Sequence, residues 1–579
     1  MKGASLFCSL AALGALAGCG GQGLKAFDPT WVDDKGAAMA DFQRSFKPSA
    51  VAGANVALGV AGPSTLLGLD LEAGGEPWTF EHELGGRPVI AGAVVVGAGA
   101  GEVFALEAKT GKLLWKQAAP GKLRGAADDG TTTLVSLATE SGTGSILLAV
   151  ERDGTVRRHL EEDAAIGAPA VSGDYALLPW KGKFLSVYDL SSGREKARLA
   201  LPQPVSRVFF SGGMLFTGES AVARVDGDLP KATWVRPPPA LGGLPGSPLW
   251  MRDGTTTPPR ESDAIDKVHL YARPTASGAP GLDGNRFAST YFRVAMGFDG
   301  KTGDLVWAHA HGADFLGGAA YAEGFALCDA KGEVTFLDAR NGGAAGHVSF
   351  GKPVEACVVQ ADGLKKPEAK GGSLAEQLTQ VVEAPEAELA TLQQLLLRQL
   401  AKLPEAPVTR SLLDLSTSGK ASPVIRTEAR ALLANRKSGA DFLLEALSRR
   451  YDYLAGVTRP PPVAPLADAL LGMRDKRAAA LLALHLDDPA DTAEDVKHAA
   501  AALSQLAEPA ELPALTAFFA HYRSMEAEEP IRDAVLSVAE ALVRLGARDP
   551  VALAIADPLT APDLKKKLVD LFAKPVLRR

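Results

Sequence analysis

The chain has 579 residues, of which 46% are apolar and 22% charged, with a formal net charge of −7. That length allows several domains, and the composition is ordinary for a soluble globular protein. A sequence pI near 5.8 argues against a nucleic-acid partner, which needs a basic face.

The first residues read as an export signal. Lys2 supplies a short positive region, and residues 6–17 form an apolar run far too short to span a bilayer. Leu16-Ala17-Gly18-Cys19 follows and resembles a bacterial lipobox. The resemblance implies removal of residues 1–18 and a diacylated Cys19, and two acyl chains suffice for stable anchoring. Gly20 stands where inner-membrane retention favours Asp, so the expected address is the outer membrane, facing the periplasm. Residues 19–49 would be a lipidated tether. Trp31 and the run Phe42-Gln43-Arg44-Ser45-Phe46 are too apolar for a pure linker and suggest a docking segment.

From about residue 50 the pattern is one of short strands. The first group is predicted at residues 55–60, 66–71 and 78–82. A strongly apolar strand is predicted over 88–97. Further strands are expected at 134–137 and 146–150, then 175–179 and 184–190, then 205–210 and 214–218. Residues 253–265 and 274–286 are rich in Gly, Pro, Ser and Thr and read as long loops. They separate strands expected at 247–251, 267–272, 291–299 and 305–308. A last group spans 315–350. One strand, 354–360, is left over and would complete the first group.

The strands carry an internal repeat. Glu107 is followed by Gly111 and Trp115, Asp70 by Gly74 and Trp78, and Asp299 by Gly303 and Trp307. Asp226 keeps Trp234, Asp189 keeps Gly193, and Asp338 keeps Gly342. Glu151 is the most degraded copy. The steps between these acids are 37, 44, 38, 37, 73 and 39 residues. A period near forty with strand-turn-strand content marks a β-propeller blade. The acids are read as acceptors for turn N–H groups and the tryptophans as core spacers, both structural.

Ala105-Leu106-Glu107-Ala108-Lys109-Thr110-Gly111-Lys112-Leu113-Leu114-Trp115 resembles the repeat of the pyrroloquinoline-quinone (PQQ)-type propellers. Gly297-Phe298-Asp299-Gly300-Lys301-Thr302-Gly303-Asp304-Leu305-Val306-Trp307 is similar to it. The resemblance implies that acid and Thr-Gly turn fix the outer hairpin while Trp packs between blades. It implies seven blades over residues 50–362, with eight as the alternative. Within that family the lipobox and propeller together look like the BamB-type lipoproteins of outer-membrane β-barrel assembly.

Residues 363–372 are polar with Lys, Pro and Gly and read as a linker. All seven Trp precede residue 308, and Ala and Leu dominate after 372 at helical spacing. Ile425-Arg426, Val496-Lys497, Ile531-Arg532 and Leu564-Lys565 recur with a small or apolar residue four after the first member. The steps are 71, 35 and 33 residues, and the pattern resembles HEAT repeats over 373–579. The stretch 458–465, with its Arg-Pro-Pro-Pro, interrupts the array.

The candidate chemistry is thin. A PQQ dehydrogenase needs Ca²⁺ ligands and an Asp base beside the quinone, and many carry adjacent cysteines that this chain lacks. His309 and His311 share a strand face with Asp314 nearby, a conceivable metal site whose commoner reading is a polar outer strand. Asp452, His485, His498 and His521 show no recurrent spacing. Cys328 and Cys357 are either a disulfide or two buried thiols. The expectation is a non-enzymatic envelope scaffold with no cofactor, no metal and no nucleic acid, binding envelope proteins of unknown identity and reaching the membrane through Cys19. A periplasmic PQQ oxidoreductase and a small-ligand sensor are the alternatives.

Overall fold

The structure, a computed structural model, describes residues 53–201, 205–208, 286–299, 304–361, 363–450, 460–524 and 528–573, and within 209–272 the backbone of the strands named below. Cys19, the tether, Trp31 and 42–46 lie outside the described residues, as do Asp226, Gly303 and Asp452. Two compact units divide the chain, Met1–Gly371 and Gly372–Arg579.

The first unit is built from sheets, seven among the described residues, antiparallel but for one pairing in the sixth. Strands Val89–Ala91, Val94–Gly99, Glu102–Glu107 and Leu113–Ala118 make the second sheet. Lys122–Asp128, Thr132–Ala138, Ser145–Glu151 and Val156–Glu162 make the third, and Ala170–Ser172, Tyr175–Trp180, Phe184–Asp189 and Arg194–Ala200 the fourth. The fifth holds Arg207–Ser211, Met214–Gly218, Val222–Arg224 and Trp234–Val235. The sixth has six strands rather than four, ending in Arg286–Tyr291, Val294–Asp299 and Leu305–Ala310. Its other three, Leu249–Arg252, Thr255–Thr256 and Val268–Ala272, include one parallel pairing. The seventh holds Phe315–Ala320, Gly324–Asp329, Glu333–Asp338 and Ala344–Ser349.

The first sheet is completed from the far end of the unit. Val56–Ala61, Thr65–Asp70 and Trp78–Glu81 take Ala356–Gln360 as their fourth strand, with Gln360 opposite Val56 and Ala356 opposite Val60. Each core cluster is shared by neighbouring sheets. Val96 and Trp115 of the second sheet pack with Leu137 and Leu148 of the third. Leu134 and Leu147 of the third pack with Leu178 and Tyr188 of the fourth. Leu67 and Leu69 of the first pack with Cys328 and Phe336 of the seventh. Both faces of these sheets are therefore buried, which is why strands such as Val94–Gly99 are apolar at every position.

Three sequence expectations differ from this arrangement. The predicted strand over 88–97 is a hairpin, because Gly92 takes φ +59° and turns the chain. The predicted strand over 291–299 is likewise a hairpin, Tyr291 facing Val294 across Phe292, whose φ is +50°. Phe292 carries none of the usual turn signals, and Arg286 at the end of the expected loop opens its first strand.

The third difference concerns residues 363–371, read as a linker. They lie along the first unit as a strap. Leu364 is buried in the cluster shared by the first and seventh sheets. Gly363 N–H donates to Asn55 Oδ1, and Lys366 Nζ donates to the Leu71 carbonyl while sitting 4.1 Å from the Phe336 ring centroid. Asn341 and Asp338 hold Ala369 through its carbonyl and N–H. A polar composition cannot distinguish a solvated linker from a strand-like strap that spends its polar groups on backbone partners.

The second unit is helical throughout its described residues. Its α-helices are α1 (Leu374–Val382), α2 (Ala390–Lys402), α3 (Ala406–Thr417), α4 (Pro423–Leu433), α5 (Ala440–Leu447), α6 (Val463–Met473), α7 (Ala478–His485), α8 (Ala493–Leu506), α9 (Leu512–Tyr522), α10 (Glu529–Arg544), α11 (Asp549–Ala556) and α12 (Pro562–Ala573). Starts are encoded locally. Ser422 accepts from Ile425 N–H with Pro423 behind it, and Thr492 with Asp495 forms a capping box. The four recurrent apolar-basic pairs fall in α4, α8, α10 and α12, each within the first five residues. Ala429, Ala500, Val535 and Leu568, four residues on, are all buried. This unit is a helical repeat region.

Candidate functional site

The repeat positions form one device, used several times. Asp70 accepts from the N–H groups of Glu72 and Ala73 at 2.7 and 2.9 Å, and Asp189 from Ser191 and Ser192, both at 2.9 Å. Those bonds hold the Asp189 carboxyl below the usual carboxylate range. Asp338 is buried and takes Arg340 N–H and its guanidinium, which lowers its pKa similarly. Glu107 has one methylene more and accepts instead from the Thr110 hydroxyl. Asp299 pairs with Arg286.

Gly74, Gly111, Gly193 and Gly342 each donate N–H to the acid's carbonyl four residues back. Each has φ between +64° and +70°, the left-handed region that glycine enters without penalty. Ladder register slips at the same place, between Ala105 and Leu106, Val187 and Tyr188, and Gly297 and Phe298. The turn is thus a hairpin closed by a glycine bulge.

Trp78 and Trp307 reach across to the next sheet's turn. Trp78 Nε1–H donates to the Ala108 carbonyl at 3.0 Å, and Trp307 Nε1–H to Ala339 at 2.9 Å; each acceptor directly follows an acid of the repeat. A Cβ on Gly111 or Gly342 would strike the Trp78 or Trp307 ring at 2.5 and 2.7 Å. Trp115 meets the degraded turn, near Gly154, and its Nε1 has no acceptor among the described residues. Trp234 is described only as backbone in its two-residue strand.

The His309 and His311 rings lie side by side, 5.9 Å between centroids, but only His311 joins a cluster of possible metal ligands. His311 Nε2 pairs with Asp329 Oδ2 at 2.8 Å, and Glu333 lies close enough to complete a three-residue group. His309 and Asp314 are not in that group. Asp329 Oδ1 is already occupied by the N–H groups of Lys331 and Glu333. Burial, with a second imidazole beside it, pushes His309 down to about 4. Cys328 and Cys357 are bonded, joining the seventh sheet to the strand that completes the first.

His485, unremarkable in the sequence, is buried at the end of α7. Its Nε2–H donates to the Leu447 carbonyl at 2.8 Å, and Nδ1 lies 2.7 Å from Asp491 Oδ2. Burial opposes the charged ring, but the Asp491 bond, the carbonyl and the nearby Asp488 together raise its pKa above the ordinary value. Two acceptors facing both nitrogens favour the imidazolium. Stability from this ring is full below the unfolded value of about 6.5 and is lost as pH rises through the folded value. Urea unfolding of the helical unit should therefore show stability falling from pH 6 to pH 8.5. His485→Asn should flatten that slope, and an equal slope in the variant would refute the assignment.

The short connections after α2, α4, α6, α8 and α10 are linked to one another. Arg436, buried after α4, donates to the carbonyls of Ala401, Leu403 and Glu405, and to Thr409 and Ser438 hydroxyls. Arg477 reaches Asp441, Lys476 reaches Glu508, and Arg544 caps the carbonyls of Ser504 and Ala507. Arginine suits this task because its rigid fork satisfies several carbonyls at a helix end. Between the connections after α4 and α6 lies a cleft of about 720 Å³.

Sequence reasoning missed Arg436 and Arg544 as well as His485. Their only signal was a basic residue at or just beyond the end of a periodic helix.

Residues 63–229 match the family model described as outer membrane protein assembly factor BamB. No curated relative matches the chain. Among solved structures, BamB from Moraxella catarrhalis is 15% identical, covering 51% of this chain and 83% of that one, with a TM-score of 0.30. The computationally designed Ika8 protein is 14% identical over 55% and 93%, at 0.33. Sqt1 of Saccharomyces cerevisiae is 10% identical over 53% and 85%, at 0.32. These likenesses are too distant to bear on function. The matched stretch spans sheets with acid–glycine turns and a tryptophan seated on the next turn, an arrangement similar to that of the PQQ-type repeat family.

Proposed function

We propose that this protein is a non-enzymatic scaffold of the bacterial envelope, anchored through a lipidated Cys19 and binding envelope proteins by its propeller and helical-repeat surfaces. The carrying observation is the match of residues 63–229 to the outer-membrane assembly factor model. The propeller has seven blades in this reading, and the helical unit is of HEAT type. No helix among the described residues is long and apolar enough to cross a membrane, so attachment rests on the acyl chains. Repeat architectures suit the role because they offer large rigid surfaces.

In-cell cross-linking followed by mass spectrometry tests it: recovery of outer-membrane β-barrel assembly proteins supports the reading. Saturable PQQ binding with Ca²⁺-dependent dye reduction would overturn it. Cys19→Ala should move the protein from the membrane to the soluble periplasmic fraction. Unchanged membrane fractionation would refute the anchor.

A further inference from the structure

We propose that the cleft between the connections after α4 and α6 binds a carboxylate-rich polypeptide segment of a partner protein. The proposal deepens the scaffold reading and rests on it for the nature of the partner. Four cations border the cleft: Lys437, Arg474, Lys476 and Arg477. Lys476 is paired with Glu508, and Arg477 with Asp441 and Asp475. Lys437 and Arg474 are exposed and have no carboxylate partner among the described residues. In a chain of net charge −7, two such cations at one opening are a local reversal of sign.

The backbone favours this presentation. Arg474 ends α6 with φ +56°, a conformation that ordinarily selects Gly or Asn at a helix end. Gly472, two residues earlier, lies beside the lysine: a Cβ there would lie 2.9 Å from Lys437 Nζ. Lys437 and Arg474 thus line the same opening. The depression is largely open to solvent, which suits an extended segment lying across it better than a small anion enclosed within it. Exposed rim cations act chiefly by complementarity and steering, so the expected interaction is salt-sensitive.

The test uses the full chain purified in detergent, with fluorescein-labelled decaglutamate as the probe and anisotropy as the readout. Saturable binding at low salt that weakens on adding NaCl is expected. Lys437→Glu with Arg474→Glu should weaken it about tenfold or more. Arg474→Gly is the folding control: glycine relaxes the left-handed backbone, so the melting temperature should hold or rise while affinity falls. Absent binding, or binding indifferent to both variants, overturns the proposal. So does competition by inorganic phosphate at equal charge, which would mean a small-anion site. Phosphatidylglycerol vesicles bound through the same two residues, with no peptide binding, would mean a membrane-facing patch and would also overturn it. The scaffold reading fails separately: peptide binding with these dependences, but no envelope protein recovered by cross-linking, would leave the cleft standing and remove the proposed role.

Discussion

Trp307→Ala is expected to destabilise the first unit by about 3–5 kcal/mol, against about 5–15 kcal/mol for a whole domain. Trp307 is fully buried and lies across two sheets. Within its own sheet it faces Gly297, where a Cβ would sit 1.9 Å from the indole. Towards the next sheet it covers Gly342 and donates to the Ala339 carbonyl. Removing it empties a contact on both sides, and glycines cannot move in to fill it. The hydrogen bond separates from the packing in a second pair of variants. Trp307→Phe leaves the buried Ala339 carbonyl without its donor, at a cost of about 1–3 kcal/mol beyond lost area. Trp115→Phe removes a donor that has no acceptor among the described residues, so its cost should be smaller by about that amount. Urea denaturation followed by near-ultraviolet circular dichroism measures all three. Equal losses for the two phenylalanine variants would show that the indole N–H bond contributes nothing.

The same tryptophans explain how much of the fold was legible. The +4 glycine and the +8 tryptophan are visible in sequence because backbone geometry and a shared contact demand them at several of the turns. A φ near +65° selects glycine at 74, 111, 193 and 342, and a ring that must cover the neighbouring turn selects a large aromatic. What lacked such a demand was not legible. The Phe292 turn uses a residue type that turns do not favour, so two strands read as one. The strap at 363–371 is held by scattered contacts from Gly363, Leu364, Lys366 and Ala369, and no periodicity announces a segment that is neither strand nor helix. His485 depends on Leu447, 38 residues earlier, and Arg436 on carbonyls more than 30 residues away. Such pairings exist only once the helices are stacked. The acid in the repeat was readable as a turn acceptor, but not the exchange at Glu107, where a longer side chain takes a hydroxyl.

Reduction of the Cys328–Cys357 bond is expected to cost about 3–4 kcal/mol, on the chain-entropy account for a loop of this size. The two residues are 29 apart in sequence, so the number alone is moderate. Its placement makes it matter. Cys328 is the penultimate residue of a central strand of the seventh sheet, and Cys357 lies in the strand that pairs with Val56–Ala61. The bond therefore ties the last sheet to the strand through which the first sheet is completed. Both sulfurs lie in one buried cluster with Leu67, Phe336 and Leu364. An apolar enclosure slows reductant, so mild treatment of the native protein should leave the bond intact. Cys328→Ser with Cys357→Ser would bury two hydroxyls and confuse the result. Paired alanine substitution is the cleaner comparison, measured against the reduced parent. Both should melt earlier than the oxidised protein, and by a similar amount. If the paired variant keeps the parent's urea midpoint, pairing of Ala356–Gln360 with Val56–Ala61 and the packing of Leu364 hold that junction without the covalent link.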